Sequence, residues 1–238
     1  MTRMLASVID APELDLAIQA GVDIIDLKNP YTGALGALPK TTIRSLVTRC
    51  AGQCPVSATV GDLPADPQQL NKAILETAEC GVDYVKVGFF SRQNLSQCVQ
   101  AIAELTQRYN LVAVLFADRD PPLERLSEFA DAGFRGLMLD TAGKGGGGLL
   151  EHMDINRLAG FVDQVRALEM LSGLAGSLRL ADIPDLLMLS PDYLGFRGAL
   201  CAGSERTATI APDRLRQIRA ALGQTPPQIG KTELGVSP

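Results

Sequence analysis

Two lysines in short apolar segments are the residues of this chain best suited to do chemistry. Lys28 stands near the end of segment 23–30, and Lys86 lies between valines in segment 84–89. A lysine in apolar surroundings and near another cation has a lowered pKa, because desolvation and like charge both disfavour its ammonium form. The neutral amine can attack a carbonyl carbon and form a Schiff base, which then serves as an electron sink. The sequence therefore indicates lysine-based aldolase chemistry.

A structural role for the two lysines is the alternative. Asp26 stands two residues before Lys28, so both side chains point to the same face of a strand. Buried charges need partners, and either lysine could serve only to neutralise a buried aspartate. Because Lys28 and Lys86 stand at matching depth on two even-numbered strands, the pair favours a functional interpretation.

Other charged residues also fall at the ends of predicted strands. Lys144 follows strand six and Arg197 ends strand eight, whereas the net charge of the chain is −5. An acidic protein that gathers cations at one edge is expected to bind an anion there. The aspartates predicted at the same edge are Asp10, Asp26, Asp62, Asp118 and Asp140.

Eight repeats of a short apolar strand and an amphipathic helix would position these residues. Almost continuously apolar strands that alternate with helices indicate a parallel sheet covered on both faces. Eight such units predict a single closed (β/α)8 barrel, the TIM barrel, over residues 1–222, with residues 223–238 as a disordered tail. An open doubly wound sheet is the alternative, although no glycine fingerprint follows strand one. The predicted strands are 4–9, 23–30, 56–60, 84–89, 111–117, 136–140, 169–172 and 193–197.

Two glycine-containing loops are suited to a phosphate group, because phosphate sites of such barrels often lie after strands seven and eight. Gly176 and Ser177 follow strand seven and are predicted to open a helix, whose backbone N–H groups would face an anion. The loop after strand eight contributes Arg197, Gly198, Gly203 and Ser204. Ordinary glycine turns are the alternative interpretation of both loops.

Two further features could contact substrate. Ser57 and Thr59 on strand three could bind substrate hydroxyl groups, or they could be packing residues. The glycine run 143–148 superficially resembles a phosphate-binding P-loop, but Lys144 precedes the glycines and no Ser or Thr follows it. The run is better interpreted as a mobile flap that carries Lys144 to the site.

The composition restricts the other classes of partner. A net charge of −5 argues against a nucleic-acid surface, and no apolar run reaches the ~18 residues of a membrane span. Five cysteines and no signal-peptide pattern predict free thiols in the cytoplasm. His152 is the only histidine and the cysteine spacing offers no ligand set, so we expect no metal and no cofactor. The sequence leaves open whether the protein forms a homo-oligomer.

Six segments together resemble one family closely, the (5-formylfuran-3-yl)methyl phosphate synthases of methanofuran biosynthesis. They run in order from strand one to strand eight, over about residues 4–222. Each is weak alone, and together they are highly specific. The segments are 26–30, 57–62, 84–88, 139–142, 174–178 and 197–199.

The resemblance implies a TIM barrel that condenses two molecules of glyceraldehyde 3-phosphate into 4-(hydroxymethyl)-2-furancarboxaldehyde phosphate. It assigns the Schiff base to Lys28 and the proton acceptor to Lys86, and it matches Asp26, Asp140 and Lys144 to further charged positions. The loop after strand five, residues 117–120, departs from the family pattern because it is short and lacks histidine. Another class I aldolase, a phosphosugar isomerase or a non-catalytic phosphometabolite-binding regulator are the alternatives.

Overall fold

A computed structural model describes residues 1–143 and 146–223 of the chain. Eight parallel strands pair in sequence order, and β8 pairs with β1, so the sheet is a closed barrel. The predicted TIM barrel is confirmed. The strands are β1 Arg3–Val8, β2 Ile24–Leu27, β3 Val56–Thr59, β4 Tyr84–Phe89, β5 Leu111–Phe116, β6 Gly136–Asp140, β7 Leu171–Leu174 and β8 Tyr193–Phe196.

Helices surround the barrel, and local sequence signals define where several of them begin. The side chains of Asp10, Asp66 and Asp154 each accept a backbone N–H bond in the first turn of the helix that follows. The helices are α1 Ala11–Gln19, α2 Lys40–Cys50, α3 Pro67–Ala78, α4 Leu95–Thr106, α5 Leu126–Asp131, α6 Leu149–His152, α7 Ile155–Ala167, α8 Ile183–Met188 and α9 Pro212–Ala221.

Two hydrophobic clusters hold the layers together. The larger cluster lies between strands and helices, and the smaller one fills the inside of the barrel. Leu5, Val114, Met138 and Tyr193 belong to the inner cluster. Since successive side chains of a strand alternate between the two faces, each strand serves both layers.

A buried ion pair connects the first helix to the segment after the last strand. Glu13 in the first turn of α1 binds the guanidinium of Arg197, which follows β8, with Nη2–Oε1 at 3.1 Å. The same carboxylate accepts N–H bonds from Ile9 at 3.0 Å and from Ile210 at 3.3 Å. Glu13 therefore fixes the loop after β8 against the end of β1.

The structure corrects several predicted boundaries. Strand β7 begins at Leu171 rather than at residue 169, because Glu169 has a φ of +56° and the N–H of Met170 still bonds to Val165 at the end of α7. Residues 181–189 are not one helix: a 3₁₀ turn at Leu180–Asp182 precedes α8. The sequence patterns do not predict helix α6. Gly223 ends α9 with a φ of +71°, and the predicted tail otherwise lies outside the described residues.

No helix within the described ranges is both long and apolar enough to cross a membrane. The predicted location in the cytoplasm stays a prediction.

Gly173→Ala should destabilise the fold. A Cβ at this position would lie 2.3 Å from Cζ of Tyr193, whose buried ring fills the barrel at that level. Overpacking of this kind costs about 1–3 kcal/mol, measured as a loss in the free energy of unfolding in urea. Gly160→Ala in α7 is the matched control, because a Cβ there would have no neighbour within 4 Å. Equal stability of the two variants would contradict the packing of Tyr193 on Gly173.

Candidate active site

A cavity of about 940 Å³ opens at the carboxyl-terminal ends of the strands. Both lysines that the sequence singles out, Lys28 and Lys86, line it. Its other lining groups come from β1, β6 and β8, from the loops after β2, β6, β7 and β8, and from α9. The cavity therefore lies where active sites of this architecture are found.

Lys28 is the first residue after β2, and its amine reaches across the barrel to β6. Its Nζ lies 3.3 Å from Oδ2 of Asp140, the last residue of β6. The other oxygen of Asp140 accepts the N–H of Thr141 at 2.8 Å, which fixes the orientation of the carboxylate. The Lys28 side chain is 11% exposed, so its amine is held in place and still open to the cavity.

Lys86 lies deeper in the barrel and is paired with Asp26. Its Nζ is 3.1 Å from Oδ1 of Asp26, and the two side chains are 2% and 0% exposed. Asp26 also accepts hydroxyl bonds from Ser7 at 2.8 Å and from Ser57 at 2.7 Å. A buried carboxylate with three such partners is well compensated for its lost hydration.

The electrostatics of this pair favour an ionised aspartate and an amine that loses its proton easily. Burial lowers the pKa of Lys86, and the charge of Lys28 adds to this, although Asp26 opposes it. Burial alone would raise the pKa of Asp26, but Lys86, Lys28 and the two serine hydroxyls together lower it. The pair thus provides a carboxylate that keeps its charge beside an amine with a weakened hold on its proton.

The ion pairs differ from the sequence-based expectation. The spacing of Asp26 and Lys28 predicts two neighbours on one face of a strand, whereas Lys28 pairs with Asp140 and Asp26 pairs with Lys86. The alternative, in which each lysine is the partner of an aspartate, therefore describes the observed contacts correctly. It does not exclude chemistry, because both lysines also line the cavity.

Ser57 and Thr59 do not face the cavity. The hydroxyl of Ser57 lies against Asp26, and that of Thr59 donates to the carbonyl of Gly36 at 2.9 Å. Both side chains are buried. These contacts favour the alternative of packing and support, and the predicted contact with substrate hydroxyls stays a prediction.

Arg197 is also occupied by the protein itself. Its Nε, Nη1 and Nη2 groups donate to carbonyls of Arg206 at 2.8 Å, Ser7 at 3.1 Å and Ala208 at 3.0 Å, in addition to Glu13. These five bonds use all five N–H groups of a guanidinium. Arg197 therefore shapes the cavity wall and has no donor left for a phosphate group.

The two glycine loops reach the cavity as predicted in position, with Gly176, Ser177, Gly198 and Ser204 in its lining. Gly203 is not part of that lining. The expectation that Ser177 opens a helix is wrong, since the next helical turn starts at Leu180. Gly176 has a φ of +107°, and a Cβ there would lie 2.8 Å from Cγ2 of Thr141, so only glycine lets the loops after β6 and β7 approach so closely.

Asp118 holds the start of the glycine run. Its carboxylate accepts the N–H groups of Ala142 at 2.8 Å and Gly143 at 2.7 Å. Burial raises the pKa of Asp118, but these two bonds outweigh it and the pKa is lowered. Lys144 and Gly145 lie outside the described residues, so the predicted flap stays a prediction.

Sequence reasoning missed several residues of the site. Ser7 on β1 supports Asp26, and Tyr31 joins the rim by donating its hydroxyl to the carbonyl of Thr207 at 2.8 Å. Arg206 and Arg214 bring two further cations to the cavity wall. Ser7 could have been found from the sequence, because it stands two residues after Leu5 and so points to the same inward face of β1. The arginines stand in a loop and on a helix, where no periodicity marks them.

Across residues 1–143 and 146–223, no group of three or more His, Cys, Asp or Glu side chains is arranged to hold a metal ion. The expectation that the protein has no metal stays a prediction.

Removing one member of the buried pair should cost more than removing both. Lys86→Met leaves Asp26 charged and deprived of its cation, and we expect the free energy of unfolding at pH 7 to fall by about 3–5 kcal/mol. Asp26→Asn with Lys86→Met should recover most of that loss. Chemical denaturation followed by circular dichroism measures both. A double variant less stable than the single one would mean that Asp26 does not depend on Lys86 for its neutralisation.

The deficit of Lys86→Met should shrink in acid. The folded-state pKa of wild-type Asp26 is lowered, so its stabilising contribution is still present near pH 4 and is lost only as pH falls below the unfolded value of about 3.9. Without Lys86, burial raises the pKa of Asp26 in the folded variant, so the cost of its buried charge is relieved by protonation as pH falls from 7 toward 4. Unfolding measured at pH 7 and near pH 4 checks the trend, and a deficit that grows in acid would speak against it.

Several known proteins resemble this chain in sequence. The family model for 4-HFC-P synthase, where 4-HFC-P is 4-(hydroxymethyl)-2-furancarboxaldehyde phosphate, matches residues 4–219. A (5-formylfuran-3-yl)methyl phosphate synthase of Methanosarcina mazei is 34% identical, over 92% of this chain and 98% of its own. A protein of Methylorubrum extorquens that bears the same name provisionally is 40% identical, over 94% and 93%.

Among solved structures, phosphoribosyl anthranilate isomerase of Thermus thermophilus matches with a TM-score of 0.65, covering 93% of this chain and 98% of its own. Its sequence identity is 15%, so this likeness concerns the fold alone. The family match spans nearly the whole barrel and includes both lysines, both of their aspartates and the glycine loops. This chain belongs to the 4-HFC-P synthase family.

Proposed function

We propose that the protein condenses two molecules of glyceraldehyde 3-phosphate into 4-(hydroxymethyl)-2-furancarboxaldehyde phosphate. The observation that carries the proposal is the presence of two amines in different environments, Lys28 and Lys86, on the wall of one cavity in a member of this family. The atoms balance: two C₃H₇O₆P give C₆H₇O₆P, one H₃PO₄ and two H₂O. No oxidant or reductant is needed.

Lys28 is the proposed nucleophile. Its side chain is more exposed than that of Lys86 and lines the open cavity. In its neutral form it attacks the aldehyde carbon of one substrate, and loss of water gives the imine. Asp140 holds the amine in position and stabilises the protonated form of the imine. The iminium withdraws electrons from the neighbouring carbon and makes its C–H bond acidic.

Lys86 is the proposed proton acceptor. Its lowered pKa makes the neutral amine easier to form, and the adjacent carboxylate of Asp26 stabilises the ammonium that forms when it takes a proton. Removal of the proton beside the iminium yields an enamine, the carbon nucleophile for bond formation with the second substrate. Ser7 and Ser57 keep Asp26 in place for this task.

The phosphate that is retained in the product is assigned to the loops after β7 and β8. Gly176, Ser177, Gly198 and Ser204 lie together along one side of the cavity. The backbone N–H groups of Gly176, Ser177 and Gly198 can donate to phosphate oxygens without requiring a long side chain. The N–H of Ser204 bonds to the carbonyl of Cys201 at 3.1 Å, so Ser204 would contribute its hydroxyl. In this architecture the loops after strands seven and eight commonly serve this purpose.

Incubation with glyceraldehyde 3-phosphate alone tests the proposal. Release of inorganic phosphate together with a new furan absorbance supports it. Conversion to a phosphosugar without phosphate release would favour another class I aldolase or an isomerase. Binding without turnover would indicate a phosphometabolite-binding protein, and each of these results would overturn the proposal.

Borohydride reduction in the presence of substrate should add mass to the peptide that contains Lys28. Lys28→Ala should lose both trapping and furan formation. Lys72→Ala is the control, because Lys72 is an exposed amine on α3, and it should behave as the wild type. Mass on Lys86 instead would exchange the two roles, and no trapping would refute the Schiff base.

Loss of the Lys86 amine should abolish furan formation and still permit trapping at Lys28, because imine formation needs only one neutral amine. We expect turnover to fall by about 10²–10⁴-fold, the usual contribution of a positioned acid or base. Lys86→Ala and the double variant Asp26→Asn with Lys86→Met should both show this, and the double variant guards against loss through unfolding. Near-normal turnover would leave Lys86 a structural residue.

Ser177→Asp should weaken substrate binding with the fold intact. The substitution places a negative charge where the retained phosphate is assigned, and Ser177 is exposed, so the barrel should tolerate it. Ser177→Asn is the neutral control of the same size. Steady-state kinetics should show a raised KM for the aspartate variant only. Equal KM values would move the phosphate site away from this loop.

A further inference from the structure

The cations on the cavity wall fall into two groups. Four of them have a carboxylate partner: Lys28 with Asp140, Lys86 with Asp26, Arg179 with Glu151 and Arg197 with Glu13. Arg206 and Arg214 also line the cavity and are half-buried, and neither has a carboxylate within 4 Å among the described residues. A half-buried cation without a counter-ion at a cavity wall indicates an anion that the protein binds.

Arg206 and Arg214 lie on different sides of the cavity. Arg214 belongs to α9, which packs against the 3₁₀ turns that follow β7 and β8, so it lies on the side of the two glycine loops. Arg206 reaches the opposite side, where its Nη2 donates to the carbonyl of Gly33, after β2, at 2.9 Å. The cavity therefore has a cation without a carboxylate partner at either side of the two lysines, as far as the described residues extend.

The surroundings of Arg206 keep its guanidinium facing the site. One bond to Gly33 fixes the side chain and leaves other N–H groups of the fork without a partner among the described residues. Burial lowers the pKa of Arg206 and the carboxylate of Asp140 opposes this, which places the group within electrostatic reach of the Lys28 pair. Asp62, which also acts on it, is bonded to the N–H groups of Ala34 and Leu35.

We propose that Arg206 binds the phosphate of the second triose phosphate, the one that is released. This inference rests on the proposed function, in which two phosphates enter and one leaves. The loops after β7 and β8, with Arg214 beside them, accommodate one phosphate. A second dianion needs a separate cation, and Arg206 supplies it close to Lys28 and Asp140 and next to the exposed rim of residues 202–205.

The release step explains why a cation is useful there. An amine takes the proton from C2 of the second triose phosphate, beside its aldehyde, the electrons of that C–H bond form a C2=C3 double bond, and the C–O bond at C3 breaks with its electron pair on the phosphate. No redox partner takes part. A guanidinium stays protonated throughout, so Arg206 binds the departing phosphate without exchanging a proton.

Direct binding of inorganic phosphate to the intact protein tests this inference without any turnover. Isothermal titration with wild type and Arg206→Gln should show binding weakened about 10- to 100-fold, the range for a lost hydrogen bond to a charged group. Arg135→Gln is the matched control, because Arg135 is exposed and precedes β6 at the opposite end of the barrel. It should bind phosphate as the wild type does.

Product inhibition separates the two phosphate sites. In Arg206→Gln, inhibition by inorganic phosphate should weaken while inhibition by the furan phosphate is unchanged, and Arg206→Lys should restore part of the loss. The opposite pattern would place the retained phosphate on Arg206 and overturn the proposal. Equal weakening of both inhibitors would reduce Arg206 to a support for the Gly33 loop. Failure to form furan while phosphate binding depends on Arg206 would refute the proposed function alone.

Discussion

The ion pair between Lys86 and Asp26 is the interaction on which the rest of the site depends. Two charges lie inside the barrel with almost no exposure to water, and such a pair is tolerated only when its hydrogen-bonding capacity is used. Ser7 and Ser57 supply that capacity from the two strands beside β2. Both serines decide where the carboxylate, and through it the amine, is placed.

A difference in depth gives the two lysines different environments. Lys86 is enclosed, with a fully buried carboxylate beneath it, whereas Lys28 stands one residue past its strand and opens to the cavity. The more accessible amine suits covalent attack, which requires approach of a carbonyl carbon. The enclosed amine suits proton transfer, which requires a tuned pKa more than space.

Carboxylates that bind backbone N–H groups hold the mouth of the barrel in shape. Glu13 binds Ile9 and Ile210, Asp62 binds Ala34 and Leu35, and Asp118 binds Ala142 and Gly143. Each fixes a different loop against its neighbour. The loops are therefore positioned by charge-assisted hydrogen bonds, which are stronger than neutral ones and leave the side chains facing the cavity free for substrate.

The sequence alone determined the barrel, the presence of both lysines at its mouth and the family, because periodic hydrophobicity and short motifs are local properties. Only the tertiary structure decided the partners of the charged groups: Lys28 bonds to Asp140, 112 residues away, and Arg197 to Glu13, 184 residues away. It also showed that Ser57, Thr59 and Arg197 are hydrogen-bonded within the protein, and it brought Arg206 to the cavity wall. Such pairings depend on which strand ends meet when the sheet closes, and the spacing of residues along the chain does not show which ends will meet.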